Sequence, residues 1–283
     1  MQWKGRRQSG NIEDRRGMGG GRIAIGGGIG TVIIVLIGLF LGGGLGYIFG
    51  ESGSLIPTAT TSAGAAGAND EMSQFIAVVL ADAEDFWTQQ FKDMGRTYSP
   101  PRLVLFTDSV QTGSGLATSA TGPFYSPTDK KIFIDLSFYD ELRTRFGASG
   151  DFAQAYVIAH EVGHAVQDQL GILDQVDAEQ RQVDKQTANE LSVRLELQAD
   201  FFAGLWAHYA SSIGVVQPGD IEEALNAANS IGDDRIQQQS QGRVVPDSFT
   251  HGTSAQRVKW FQLGYTTGDI DQGDTFSMPY SQL

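Results

Sequence analysis

The feature that most constrains this chain is a run without charge from Ile23 to Phe49, IAIGGGIGTVIIVLIGLFLGGGLGYIF. As a helix a run of this length rises about 40 Å, enough to cross a hydrocarbon layer of about 30 Å with some tilt. Its many glycines would weaken a helix in water but are tolerated in a bilayer. There Gly26 to Gly30 and Gly42 to Gly46 place small residues four apart, the spacing of helix–helix association in a membrane. The run exceeds the roughly 7–15 apolar residues of a signal peptide. It ends on glycines and Tyr47, a poor cleavage site, with AGAAGA further on as the rival position. A single uncleaved transmembrane helix is therefore expected over 23–49, in contact with the lipid bilayer.

Charge is divided around this run. Residues 1–22 carry six cationic side chains against Glu13 and Asp14, a net +4, within a chain whose total is -13. The rest is strongly acidic. By the positive-inside rule the basic end stays in the cytoplasm and the acidic part is exported, periplasmic or extracellular at the bacterial cytoplasmic membrane. The acidic balance also excludes a protein that coats nucleic acid, because phosphate binding needs clustered cations. With 41% hydrophobic and 19% charged residues the chain has enough apolar side chains for a core of its own. It contains no cysteine, which removes disulfides, thiolate metal sites and cysteine nucleophiles together. Any metal must be held by His, Asp or Glu.

Residues 50–70 are small, polar and nearly uncharged, as expected of a flexible linker. Beyond it, helical spacing of Phe75, Val78, Val79, Ala83, Phe86 and Trp87 predicts a helix over 71–94. Leu103 to Phe106 and Lys131 to Leu136 read as strands, with a Gly/Ser/Thr-rich loop between them reaching Gly122. A helix is expected from Asp151, with Asp151 as its cap and Gly171 as its stop. A longer helical region follows over 177–209, broken before Ala188, and two more helices over 221–231 and 254–265. The fold class is α+β, helix-rich with a small β-sheet.

Four histidines are present, at 160, 164, 208 and 251. His160, Glu161 and His164 spell HEVGH inside the helix that starts near Asp151. Residues four apart share a helix face, so both imidazoles can bind one metal while Glu161 stands beside them, the HExxH arrangement of zinc peptidases. By composition such a match is expected roughly 0.002 times in a chain like this. A catalytic zinc usually has three protein ligands. Glu196 is the favoured third and Glu190 its rival, because in ELQAD only Glu196 has an acid, Asp200, four residues on. Asp200 is expected to accept a hydrogen bond from the second nitrogen of a ligand imidazole.

HEVGH followed by ELQADFFAG resembles the gluzincin pattern, HExxH with a later ExxxD, and more closely the bacterial neutral zinc metallopeptidase family of YpfJ-like membrane proteins. The resemblance extends over GPFY at 122–125, IDLSFY at 134–139, AHEVGHAVQ at 159–167, ELQADFFAGLWA at 196–207 and SFTHGTSAQRVKWFQLGY at 248–265. Relatives often carry cysteines where this chain has Ser114, Ser126 and Gly273, so a family disulfide does not carry over. The resemblance implies a zincin-like domain over 71–283 that binds Zn2+ through His160, His164 and Glu196. In it, Glu161 is the base that takes a proton from the attacking water and passes it to the leaving amine. A developing oxyanion needs a further donor, for which His251 and Tyr125 are the candidates. His208, late in its helix, is expected to be structural. By analogy with related peptidase folds, Lys131 to Leu136 is expected to offer the edge along which a peptide substrate pairs. The expected whole is a basic tip (1–22), a transmembrane helix (23–49), a linker (50–70) and a zinc endopeptidase domain (71–283). Two other readings use the same residues: a metal-stabilised adaptor without catalysis, and a zinc hydrolase of non-peptide amides. An intact Glu161 weighs against the first.

Overall fold

The computed structural model describes residues 1–17 and 70–283. Helix α1 (Glu71–Asp93) begins at Asp70, whose side chain accepts the Ser73 N–H, and buries Phe75, Ile76, Val79, Leu80, Ala83, Phe86 and Trp87. The chain then forms β2 (Arg102–Phe106), a hairpin of β3 (Ser109–Thr112) and β4 (Gly115–Thr118), then β5 (Phe124–Ser126), β6 (Lys131–Asp135) and the short helix α2 (Ser137–Thr144). Helices α3 (Asp151–Leu170), α4 (Ile172–Gln180), α5 (Lys185–Ser212), α6 (Asp220–Ser230), α7 (Asp233–Gln241) and α8 (Ser254–Thr267) complete it.

A four-stranded sheet has the order β1–β2–β6–β5, where β1 is Ile12–Asp14. β1, β2 and β6 are parallel, and β5 runs antiparallel to β6 with Phe124 opposite Phe133. Alternation along the strands divides the core. Leu103, Leu105, Ile132 and Ile134 join the large cluster built with α1, α3 and α5. Val104, Phe106, Phe124 and Phe133 pack on the hairpin residues Val110 and Ala117.

Several expectations are corrected. Among the described residues no helix is long and apolar enough to cross a membrane, so the fold class is a helix-rich α+β domain with two small sheets and without the expected transmembrane helix. The run 23–49 and most of the linker lie outside the described residues. Residues 1–17 do not stand apart as a tip: β1 adds an edge to the sheet, and Arg6 and Arg7 pair with Asp82 and Asp85 of α1. β6 is not an edge strand, because it is hydrogen-bonded on both sides, and the edge beside α3 is β5. Asp151 is the first residue of α3 rather than its cap. The Phe152 N–H is instead taken by Glu223 of α6, whose carboxyl fills the space where a Cβ on Gly150 would stand.

Ser114, Ser126 and Gly273 are each accommodated without a disulfide. Ser126 donates to Asp129 at 2.6 Å, and the Ser114 and Thr128 hydroxyls lie 3.2 Å apart. At Gly273 the missing side chain leaves room for Phe201, since a Cβ there would come within 2.5 Å of its ring. Arg194 then gathers the carbonyls of Thr275, Phe276 and Met278 and ties the C-terminal segment to α5.

Candidate active site

Helices α3 and α5 meet through small residues. A Cβ on Gly163, the fourth residue of HEVGH, would lie 3.2 Å from the Ala199 backbone, so glycine allows the approach that carries Glu196 and Asp200 to the two histidines. His160, His164 and Glu196 are buried, and one ligand atom from each lies within 4.8 Å of the others. His160 Nε2 is 3.2 Å from Glu196 Oε2, and His164 Nε2 is 3.5 Å from Glu196 Oε1.

The opposite ring nitrogens are engaged elsewhere. His160 Nδ1 lies 2.9 Å from Asp200 Oδ1, and His164 Nδ1 lies 2.9 Å from Gln167 Oε1. The Gln167 amide donates to the carbonyls of Leu195 and the Gln198 side chain, which orients its oxygen toward His164. Nδ1 of each ring is therefore a donor to its oxygen partner, and both Nε2 atoms face Glu196; burial would lower His160, but Asp200 and Glu196 push it up to about 10, so its Nε2 carries a proton that a metal would displace. Two imidazoles, each able to offer Nε2 to a metal that displaces its proton, and a carboxylate, with their outer partners in place, are a donor set suited to zinc. A second group, Asp151, Asp220 and Glu223, has carboxylates only, and the Met1 ammonium sits on Asp151 and Asp220. It lacks the nitrogen donors that zinc prefers.

Asp200 is fully buried and clamped. Arg257 of α8 donates to both of its oxygens, at 2.8 and 3.0 Å, and the Tyr156 hydroxyl donates at 2.5 Å. Burial alone would push the Asp200 carboxyl up, but Arg257 and His160 hold it below the usual carboxylate range. Glu196 follows the same pattern, with burial opposed by His251, His164 and His160, and its carboxyl is also held low. Glu161 goes the other way: burial pushes it up to about 7, against the pull of His160 and a hydrogen bond from the Tyr125 backbone N–H. A carboxyl near neutrality can both take and return a proton.

His251 lines the same cavity as His160, Glu161, His164 and Glu196. Its Nδ1 lies 3.2 Å from Asp233, whose other oxygen accepts the Thr250 and His251 backbone N–H groups, leaving Nε2 available. Tyr125 does not serve as expected. β5 turns its side chain to the helix side of the sheet, where its hydroxyl donates to Asp168 at 2.5 Å beside Lys130. Its contribution to the site is the backbone N–H on Glu161. His208, with Nδ1 on the Tyr265 carbonyl, stands apart from the site as expected. Tyr156, Asp233 and Arg257 escaped the sequence reading. The one signal for Arg257 was its place in the SAQRVKW stretch, a cation among residues read as a core helix.

Crossed helices offering a His–His–Glu donor set, with a buried glutamate beside it, define a metal centre of the zinc-peptidase type. The chain belongs to the family described as "Putative neutral zinc metallopeptidase", which matches residues 1–276. It is 50% identical over 285 residues to the "Uncharacterized protein YpfJ" of Escherichia coli K12, covering 98% of this chain and 99% of that one. An uncharacterized protein of Mycobacterium tuberculosis H37Rv is 48% identical over 191 residues, 64% of either chain. No solved structure matches. The family implies Zn2+, and His160, His164 and Glu196 are the residues that would hold it.

Proposed function

We propose that this protein is a zinc-dependent endopeptidase in which Glu161 moves the proton. The observation that carries this reading is the buried Glu161 carboxyl lining the same cavity as the His160–His164–Glu196 donor set. A zinc ion there supplies Lewis-acid polarisation of a peptide carbonyl and acidifies a water molecule. Glu161, held by the Tyr125 N–H, takes the proton of that water and returns it to the leaving amine. His251, fixed at Nδ1 by Asp233, donates from Nε2 to the oxygen on which charge develops. The substrate backbone runs along the β5 side of the cavity, the edge left by the strand order.

Replacing Glu161 by Gln separates this reading from a metal-stabilised adaptor. Zinc content should stay at one per chain, while cleavage of an unfolded protein, followed by mass spectrometry, should fall by about 100-fold or more. Equal cleavage by Glu161→Gln and the wild type would defeat the assigned role.

A further inference from the structure

Beside the metal centre the cavity lining includes the large apolar residues Phe124, Phe138, Phe146, Val157, Ile231 and Ile236, with Glu141 and Arg145 paired at its rim. They come from separate parts of the chain. Phe124 precedes Tyr125, whose N–H holds Glu161, and Val157 lies one helical turn before Glu161 on the same face of α3. Ile231 and Ile236 flank Asp233, the residue that orients His251. Gly122, with φ of 72°, leaves open the floor in front of the Phe138 ring, which stands 3.9 Å from where a Cβ would be. Phe138, Phe146, Ile231 and Ile236 are only half-buried, and all four turn part of their surface to this cavity. Large apolar side chains from two distant stretches of the chain, left wet around one opening, form a surface whose burial a ligand would complete.

We infer that this wall is a specificity pocket that receives a large apolar side chain, of leucine or phenylalanine size, from the residue next to the bond that is cut. The inference rests on the peptidase reading for the words "bond that is cut", but the pocket's preference is a binding property and can be measured without hydrolysis. A charged side chain would lose its hydration against six apolar neighbours, and a methyl group would leave the wall uncovered. Each methylene buried there should raise affinity about fourfold.

The test uses the zinc-loaded full chain and succinyl hydroxamates that differ in one side chain: methyl, isobutyl, benzyl or carboxymethyl. By calorimetric titration the isobutyl and benzyl compounds should bind at least about tenfold more tightly than the methyl compound, and the carboxymethyl compound most weakly. Phe138→Ala and Ile236→Ala, both at half-buried positions, should reduce that preference, read as the ratio of isobutyl to methyl affinity, about threefold or more. Equal affinities across the series, or a preference unchanged in both variants, would overturn the pocket. Graded binding without cleavage of any peptide would uphold the pocket and defeat the peptidase reading. Cleavage with a flat series would do the reverse.

Discussion

Asp200 stays charged at zero exposure because Arg257 brings two N–H donors to it and Tyr156 an O–H. Removing the guanidinium leaves a buried carboxylate with His160 as its remaining cationic partner. Arg257→Ala should therefore cost about 3 kcal/mol of stability in urea unfolding. Arg257→Lys keeps the charge but not the fork, so His160 is held less firmly and zinc affinity should fall roughly tenfold in competition with a chelator. Asp233 gives a pH signature. Burial would raise its carboxyl, but His251 and two backbone N–H groups hold it below the ordinary value of 3.8. A depressed folded value means that its stabilisation is complete above that pH and is lost as pH falls through the folded value. Asp233→Asn should thus unfold at lower urea than the wild type near pH 7, with the difference closing below about pH 4. HEVGH and ELQAD were legible in the sequence because both pairs obey the four-residue spacing of one helix face. Asp233, Tyr156 and Arg257 were not, since their partners stand 18, 44 and 57 residues away and only tertiary packing joins them.

The crossing of α5 and α8 is what brings Arg257 to Asp200, and two glycines make it. A Cβ on Gly204 would lie 2.1 Å from the Phe261 carbonyl oxygen, and one on Gly264 would lie 2.2 Å from that of Phe201. Both obstacles are backbone, so the helices must separate to admit a methyl group. Gly204→Ala should cost about 1–3 kcal/mol in urea unfolding and weaken zinc binding, because Asp200 and Arg257 sit on the two separated helices. Gly163→Ala, whose nearest obstacle is at 3.2 Å, should cost less. The helices with an apolar stripe, α1, α3, α5 and α8, were readable from periodicity, and so was the break before α5, which falls at 181–184. Three of the elements that were missed lack a stripe. β1 is Ile-Glu-Asp and becomes a strand by pairing with β2. Helix α7, DDRIQQQSQ, buries Asp233 and Gln237 and is held by polar contacts to 245, 248, 250, 251 and 254. Hairpin β3–β4 lies in the stretch whose Gly/Ser/Thr content read as loop, and its buried apolar residues are Val110 and Ala117 alone.

The +4 of residues 1–22 acquires a different meaning once the molecule is whole. Arg6 meets Asp82 at 2.8 Å, Arg7 meets Asp85 at 2.7 Å, Lys4 meets Glu71 at 2.7 Å, and Ser9 and Asn11 both donate to Glu84. The basic segment neutralises one face of α1, and β1 extends the sheet that frames the cavity, so residues 1–17 belong to the same folded unit as 70–283. At the end of the segment Arg16 lies 2.7 Å from Asp70, so the chain leaves and re-enters this unit at one corner. A single crossing of a membrane between 17 and 70 would pull these partners to opposite sides. Whatever course residues 18–69 take, both flanks should therefore lie on one side. The absence of cysteine makes this measurable, because an introduced thiol is the sole target of a maleimide. Gln8→Cys and Lys92→Cys replace exposed residues on the two flanks. In intact cells a membrane-impermeant maleimide should label both variants or neither, with labelling after lysis as the control. Labelling of one alone would mean that the Arg6–Asp82 and Arg7–Asp85 pairs do not form within a chain in the cell, and that the sheet does without β1.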